Sequence, residues 1–99
     1  MEKKLFSVLQ DDLSVCFVTG SPNVALHHIF PGKGRRKGCE KYGFVVSLEP
    51  RWHNMSSYSV HAVPNAGLDL VLKQKAQKCF EERYGTRKEF IQEFGKSYL

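Results

Sequence analysis

The spacing of hydrophobic residues changes along the chain, dividing it into a β-rich first half and a helical second half. β-Branched and aromatic residues dominate three short runs, which predict strands over Val15–Val18, Val24–Phe30 and Gly43–Leu48. The turn-forming sequence Gly20-Ser21-Pro22-Asn23 separates the first two runs. From Leu68 to Arg83, apolar residues recur every three or four positions, which predicts an amphipathic helix.

Capping residues predict where the helices begin and end. Asn65 is a candidate N-cap for the long helix, and Gly85 a candidate C-terminal stop. Thr86 and Glu89 stand three residues apart, as in a capping box. They predict a second helix that ends at Gly95. A brief helix or turn is expected between these helices and the strands, in the residues that follow Pro50.

The segment from Pro31 to Glu40 combines several glycines with a concentration of positive charge. The glycines predict a flexible loop rather than a helix or a central strand. The chain has a formal net charge of +5. Much of this charge comes from five neighbouring cations: Lys33, Arg35, Arg36, Lys37 and Lys41. Charge alone is equally consistent with a solvated loop and with a loop that binds phosphate groups.

Composition indicates a small folded protein. The chain has 99 residues, of which 41% are hydrophobic and 25% charged, a balance that favours one core over disorder. Its three cysteines form no disulfide framework, and its polar start does not resemble a secretory signal. No stretch approaches the roughly 20 apolar residues of a membrane-spanning helix. We therefore expect a soluble, cytoplasmic protein with no membrane partner.

All the histidines of the chain lie in one third of its length, around the predicted hairpin: His27, His28, His53 and His61. A single histidine is usually structural, but four close together favour a metal or catalytic site. Neighbouring side chains on a strand point to opposite faces, so His27 and His28 are expected to have different roles. Phosphodiester cleavage needs a base and a metal ion, and imidazole can serve either need.

Two segments carry a resemblance to the HNH nuclease superfamily, whose members are also called His-Me finger or ββα-metal nucleases. The first is Leu26-His27-His28-Ile29. The second runs from Val45 to Asn54, where Leu48-Glu49-Pro50-Arg51-Trp52-His53 stands for the family's Leu-Cys-x-x-Cys-His. Three later segments are similar to small phage and prophage HNH proteins of the kind of the RecA-dependent recombination-enhancing nucleases: Val60-His61, Leu68-Asp69-Leu70 and Phe94-Gly95-Lys96-Ser97-Tyr98-Leu99.

The resemblance implies an α+β fold with a ββα-metal core. This core consists of a β-hairpin and a short metal-site helix, and two C-terminal helices follow it. Residues 1–99 would form a single nuclease-like domain. Within it, residues 1–14 would form an N-terminal arm, residues 24–63 the ββα-metal motif, and residues 65–99 the C-terminal helices.

The resemblance also implies a role for each site residue. His28 would be the general base that activates water, and either Asn54 or a backbone carbonyl would orient it in place of the family's middle asparagine. His27, His53 and His61 would bind a divalent metal ion. Mg or Mn is expected to support activity, while Zn or Ni can also bind such a nitrogen-rich site. The basic segment would bind phosphates of DNA, with RNA as an alternative.

The function implied is a metal-dependent endonuclease that nicks or cleaves DNA, encoded by a phage or prophage. A homodimer and a host recombination protein are the further partners considered. The chain departs from the family at Glu49 and Trp52, which stand where relatives often carry cysteines, and its middle asparagine is not evident. These departures keep open an alternative, a catalytically inactive module of the HNH fold that binds nucleic acid or a host factor.

Overall fold

The chain forms a two-stranded antiparallel sheet and four helices in a computed structural model that describes residues 5–32 and 34–99. In chain order the elements are β1 (Ala25–His28), α1 (Arg35–Tyr42), β2 (Val45–Leu48), α2 (Pro50–His53), α3 (Gly67–Arg83) and α4 (Arg87–Phe94). The predicted α+β class is confirmed. Residues 1–4 of the predicted arm, and the predicted phosphate-binding residue Lys33, lie outside the described residues.

The β1–β2 hairpin sets the positions of the first two histidines. The register pairs His27 with Val46 and His28 with Val45. Every residue of β2 is buried, so this strand forms one wall of the core. His27 is also buried, with 4% of its surface exposed, whereas His28 is only partly covered. The hairpin therefore holds one imidazole inside the protein and its neighbour near the surface.

A helix occupies most of the segment that we predicted to be a flexible loop. Gly34 is the N-cap of α1 with a φ of 84°, and Gly43 is its C-cap with a φ of 77°. Both adopt the left-handed conformation that glycine tolerates best, so they end the helix without interrupting it. Inside α1, a Cβ on Gly38 would lie 3.3 Å from the Phe94 ring. The prediction was wrong because it treated these glycines only as helix breakers.

The predicted strand over Val15–Val18 is a series of turns. The Gly20 N–H donates to the Cys16 carbonyl at 2.9 Å, which closes the chain on itself. The Phe17 N–H donates to the Ser47 carbonyl at 2.7 Å, so this segment makes one bond to β2 and no ladder. β-Branched residues favoured a strand here, but local hydrogen bonds at the following glycine bend the chain instead.

The two C-terminal helices agree with the sequence prediction. α3 covers the predicted Leu68–Arg83, and α4 begins with the predicted capping box of Thr86 and Glu89. The N-cap of α3 is Ala66, so the prediction of Asn65 was wrong by one residue. No helix among residues 5–32 and 34–99 is long and apolar enough to cross a membrane.

An aromatic cluster joins the hairpin to these helices. Phe30, two residues after β1, has its ring 4.6 Å from that of Phe94 and 5.4 Å from that of Phe90. Phe44 and Phe80 extend the cluster to β2 and α3, and these rings are almost completely buried. Such rings supply much of the burial that stabilises a small domain. They also fix the hairpin against the helices.

Candidate metal and nucleic-acid site

Two histidines come together through α2 and the loop that follows it. Pro50 occupies the first turn of α2, where its fixed φ suits a helix and its missing N–H costs no bond. His53 is the last residue of this helix. The His61 N–H donates to the His53 carbonyl at 3.2 Å. The Val60 N–H donates to the Trp52 carbonyl at 2.9 Å, so two successive bonds hold the returning loop.

The side chains of His27, His53 and His61 converge closely enough to hold a metal ion. One ring nitrogen from each lies within 4.8 Å of the other two. The Nε2 atoms of His53 and His61 are 3.0 Å apart. Two imidazole nitrogens bound to one tetrahedral ion at 2.0–2.1 Å would be about 3.3 Å apart. The spacing of the three rings therefore fits a single ion.

The environment of His27 supports this fit. Its Nε2 atom is buried and has no hydrogen-bond partner among the described residues. Leaving such an atom without a partner costs about 1–3 kcal/mol, which a bound ion would remove. Burial, with the nearby His53 and His61 rings, lowers the pKa of His27 to about 3. The ring is thus neutral at pH 7, as a metal ligand must be. Burial also lowers the pKa of His53.

His28 lies outside the group of three and has a different partner. It is the last residue of β1, and alternation along the strand directs its side chain away from that of His27. Its Nε2 atom lies 3.1 Å from Oε2 of Glu40 on α1. The side chains of His27 and His28 therefore lie in different places, and their different roles stay a prediction.

All four imidazoles line one open cleft of about 250 Å³, together with Arg36. Three consecutive residues of β1, Leu26, His27 and His28, line this cleft. A water molecule takes up about 30 Å³ in the liquid. The cleft therefore has room for a phosphate group and a few waters beside the histidines.

The basic residues of α1 divide into two groups. Arg36 is exposed and lines the cleft. The Arg35 guanidinium lies beside Gly95, the C-cap of α4, in the space that a Cβ on this glycine would occupy. A cation at this end of a helix stabilises its dipole. Lys37 and Lys41 are exposed, and the Lys41 ammonium lies 5.1 Å from the centre of the Tyr42 ring. Of the described cations predicted to bind phosphate, Arg36 is the one at the cleft.

Asn54 does not take the position that we expected. It is the exposed C-cap of α2, and its side chain makes no hydrogen bond to His28 among the described residues. The side chain that contacts His28 is that of Glu40, which the sequence analysis did not identify. Arg36 and Glu40 are four residues apart, a spacing that places both on one face of a helix. This signal could have been found only if the segment had been predicted as helical.

A buried ion pair anchors the chain just after His61. Lys73 Nζ lies 2.7 Å from Asp69 Oδ2, and both side chains are about 95% buried. The Asn65 N–H donates to this carboxylate at 2.6 Å, and its side-chain oxygen accepts from Lys73 at 2.8 Å. The loop that presents His61 is therefore tied to α3. The four-residue spacing of Asp69 and Lys73 on a helix is the sequence signal for this pair.

Adding Zn²⁺ or Ni²⁺ to the metal-free protein should stabilise it through the three histidines. At an ion concentration 100 times the Kd, the free energy of unfolding should rise by about 2.7 kcal/mol. His53→Ala removes one ligand, so the increase should largely disappear at the same concentration. Thermal unfolding with and without the ion measures this difference. His28→Ala is the matched control, because His28 is outside the group, and an equal shift in both variants would contradict the site.

Comparison with protein-family models, with curated proteins and with solved structures gives no match. Any assignment of function therefore depends on the side chains of the cleft and their arrangement.

Proposed function

We propose that this protein is a metal-dependent endonuclease of the ββα-metal type that nicks or cleaves DNA. The observation that carries the proposal is the composition of the cleft. Three imidazoles lie within metal-binding distance of one another, a fourth stands apart with a carboxylate partner, and an arginine lies beside them. Phosphodiester hydrolysis requires metal ligands, a general base and a group that binds the phosphate anion.

The order of elements also supports the proposal. A hairpin of β1 and β2 leads directly into α2, and these elements carry His27, His28 and His53. In the ββα-metal arrangement that the sequence resembles, the hairpin carries the base and the following helix carries a metal ligand. α1 is inserted between the two strands, and it supplies Arg36.

In the proposed reaction, His28 accepts a proton from a water molecule as the water oxygen attacks phosphorus. The bond from phosphorus to the 3′ oxygen breaks, and that oxygen takes a proton from solvent. Arg36 holds a non-bridging phosphate oxygen through charge-assisted hydrogen bonds. His27, His53 and His61 would hold the ion, which supplies positive charge to the phosphate and the leaving oxygen when bound.

A plasmid-nicking assay tests the proposal. Supercoiled DNA should be converted to the open circular form with Mg²⁺ or Mn²⁺ and should remain intact with EDTA. An intact plasmid with each of Mg²⁺, Mn²⁺, Zn²⁺ and Ni²⁺ would contradict the nuclease proposal. If the inert protein still retained DNA on a filter, the alternative of a non-catalytic nucleic-acid-binding module would replace it.

Replacing Arg36 with alanine should weaken DNA binding irrespective of sequence, because a phosphate contact carries no base information. Loss of one such contact should reduce the slope of log K against log salt by about 0.9 for duplex DNA. Binding measured in EDTA over a range of salt concentrations gives this slope. Lys37→Ala is the control, since Lys37 has the same charge but does not line the cleft. Equal changes in both variants would indicate a general charge effect instead.

A further inference from the structure

Among residues 5–32 and 34–99, the Glu40 carboxylate is the side-chain group that lies within hydrogen-bond distance of the His28 ring. Oε2 of Glu40 lies 3.1 Å from Nε2 of His28, and the two side chains are 47% and 15% exposed. An ionised carboxylate can only accept hydrogen bonds. The proton of a neutral His28 is therefore held on Nε2, and the lone pair remains on Nδ1.

Glu40 is held in place by the packing of α1. Cys39, its neighbour, is buried, and its Sγ accepts from the Phe30 N–H at 3.4 Å. Tyr42 is also buried, and its hydroxyl donates to Glu93 on α4 at 2.7 Å. These contacts hold α1 against the segment that follows β1 and against α4. A residue on a packed helix holds its partner more precisely than one on a mobile loop.

The charges around Glu40 leave it available for His28. Arg36 lies one helical turn away, at the spacing where arginine and glutamate often pair. Among the described residues, however, Glu40 forms its ion pair with His28, and Arg36 forms none. The carboxylate therefore orients the imidazole, while the guanidinium remains free to bind an anion in the cleft.

We infer that Glu40 is the positioning residue for His28: it fixes the ring and the tautomer that leaves Nδ1 free to accept a proton. This inference rests on the proposed function for the role of Nδ1, although the contact itself does not depend on it. Glu40 is neither one of the three grouped histidines nor among the residues that line the cleft, so its proposed role is exerted through His28.

Two variants and a control test the inference. Glu40→Ala removes the acceptor, whereas Glu40→Gln retains an oxygen that can accept from Nε2–H. Glu82→Gln neutralises an exposed carboxylate on α3, far along the chain from the cleft. Long-range ¹H–¹⁵N correlation of the histidine rings in metal-free protein reports the tautomer of His28. Single-turnover and steady-state cleavage report kcat and KM.

The wild type, Glu40→Gln and Glu82→Gln should each show one Nε2–H tautomer for His28, and Glu40→Ala should show a mixture. In Glu40→Ala, kcat should fall about 10- to 100-fold with little change in KM, a smaller loss than the 10²- to 10⁴-fold that the base itself contributes, because His28 is still present. An unchanged tautomer with unchanged kcat in Glu40→Ala would overturn the inference. If the wild type does not cleave DNA, the nuclease proposal fails, and the ring spectra alone decide whether Glu40 positions His28.

Discussion

Replacing His28 with alanine should lower the rate of DNA cleavage by about 10²- to 10⁴-fold, the range expected when a general base is removed. DNA binding should be retained, because the arginine of the cleft is untouched. The fold should also be retained, because the ring lies at the edge of the hairpin and its protein partner is the half-exposed Glu40. Nicking rates with saturating Mg²⁺ and filter binding in EDTA measure the two properties separately.

His61→Ala distinguishes a base from a ligand in the same cleft. This variant should lose both cleavage and the stabilisation by Zn²⁺ or Ni²⁺, whereas His28→Ala should lose cleavage only. The difference follows from the geometry, since His61 belongs to the group of three rings and His28 does not. Cleavage by His28→Ala at the wild-type rate would show that another group activates water, and the assignment of the base would then be wrong.

Part of the arrangement of the histidines was predictable from the sequence, because that part depends on short-range rules. Alternation along a strand separates His27 from His28, and this rule needs no knowledge of the rest of the fold. The proximity of His53 and His61 depends on a short loop between them. The convergence of His27 on both was inferred from the family resemblance, and the three rings do lie together.

The partner of His28 was not predictable, because it depends on the conformation of the segment between the strands. Glycines can end a helix or prevent one, and composition does not distinguish these effects. Here Gly34 and Gly43 lie at the two ends of α1, and Gly38 faces the Phe94 ring. That packing is a tertiary contact. Once the helix is known, Glu40 follows from the four-residue spacing to Arg36.

The burial of Lys73 was also not predictable from the sequence. Lys73 stands on α3 between apolar positions, and in the sequence it reads as one of several surface lysines on that helix. In the structure its side chain is 4% exposed and paired with Asp69. Charged groups are rarely buried unless they are paired. Asp69, four residues earlier, is at a spacing that allows an ion pair with Lys73. Only the structure shows that Asn65 and the C-terminal residues cover this pair.

Replacing Asp69 with alanine should destabilise the protein by about 3–5 kcal/mol, because the Lys73 ammonium would remain buried without its counter-charge. The pair is shielded on several sides. Asn65 binds both members, and the Tyr98 ring lies 5.4 Å from the ammonium. A loss of this size is a large part of the stability of a small domain. Urea unfolding, with the midpoint and the slope fitted together, measures it.

The double variant Asp69→Leu with Lys73→Met separates the cost of a lone charge from the value of the pair. Replacing both members of a buried pair with apolar residues is often neutral or stabilising, so this variant should recover most of the loss. Lys75→Met is the matched control, since Lys75 is exposed on the same helix and its replacement should change stability by no more than about 0.5 kcal/mol. If Asp69→Ala were as mild as Lys75→Met, the ion pair would not be buried in solution. The anchor proposed for the His61 loop would then be lost as well.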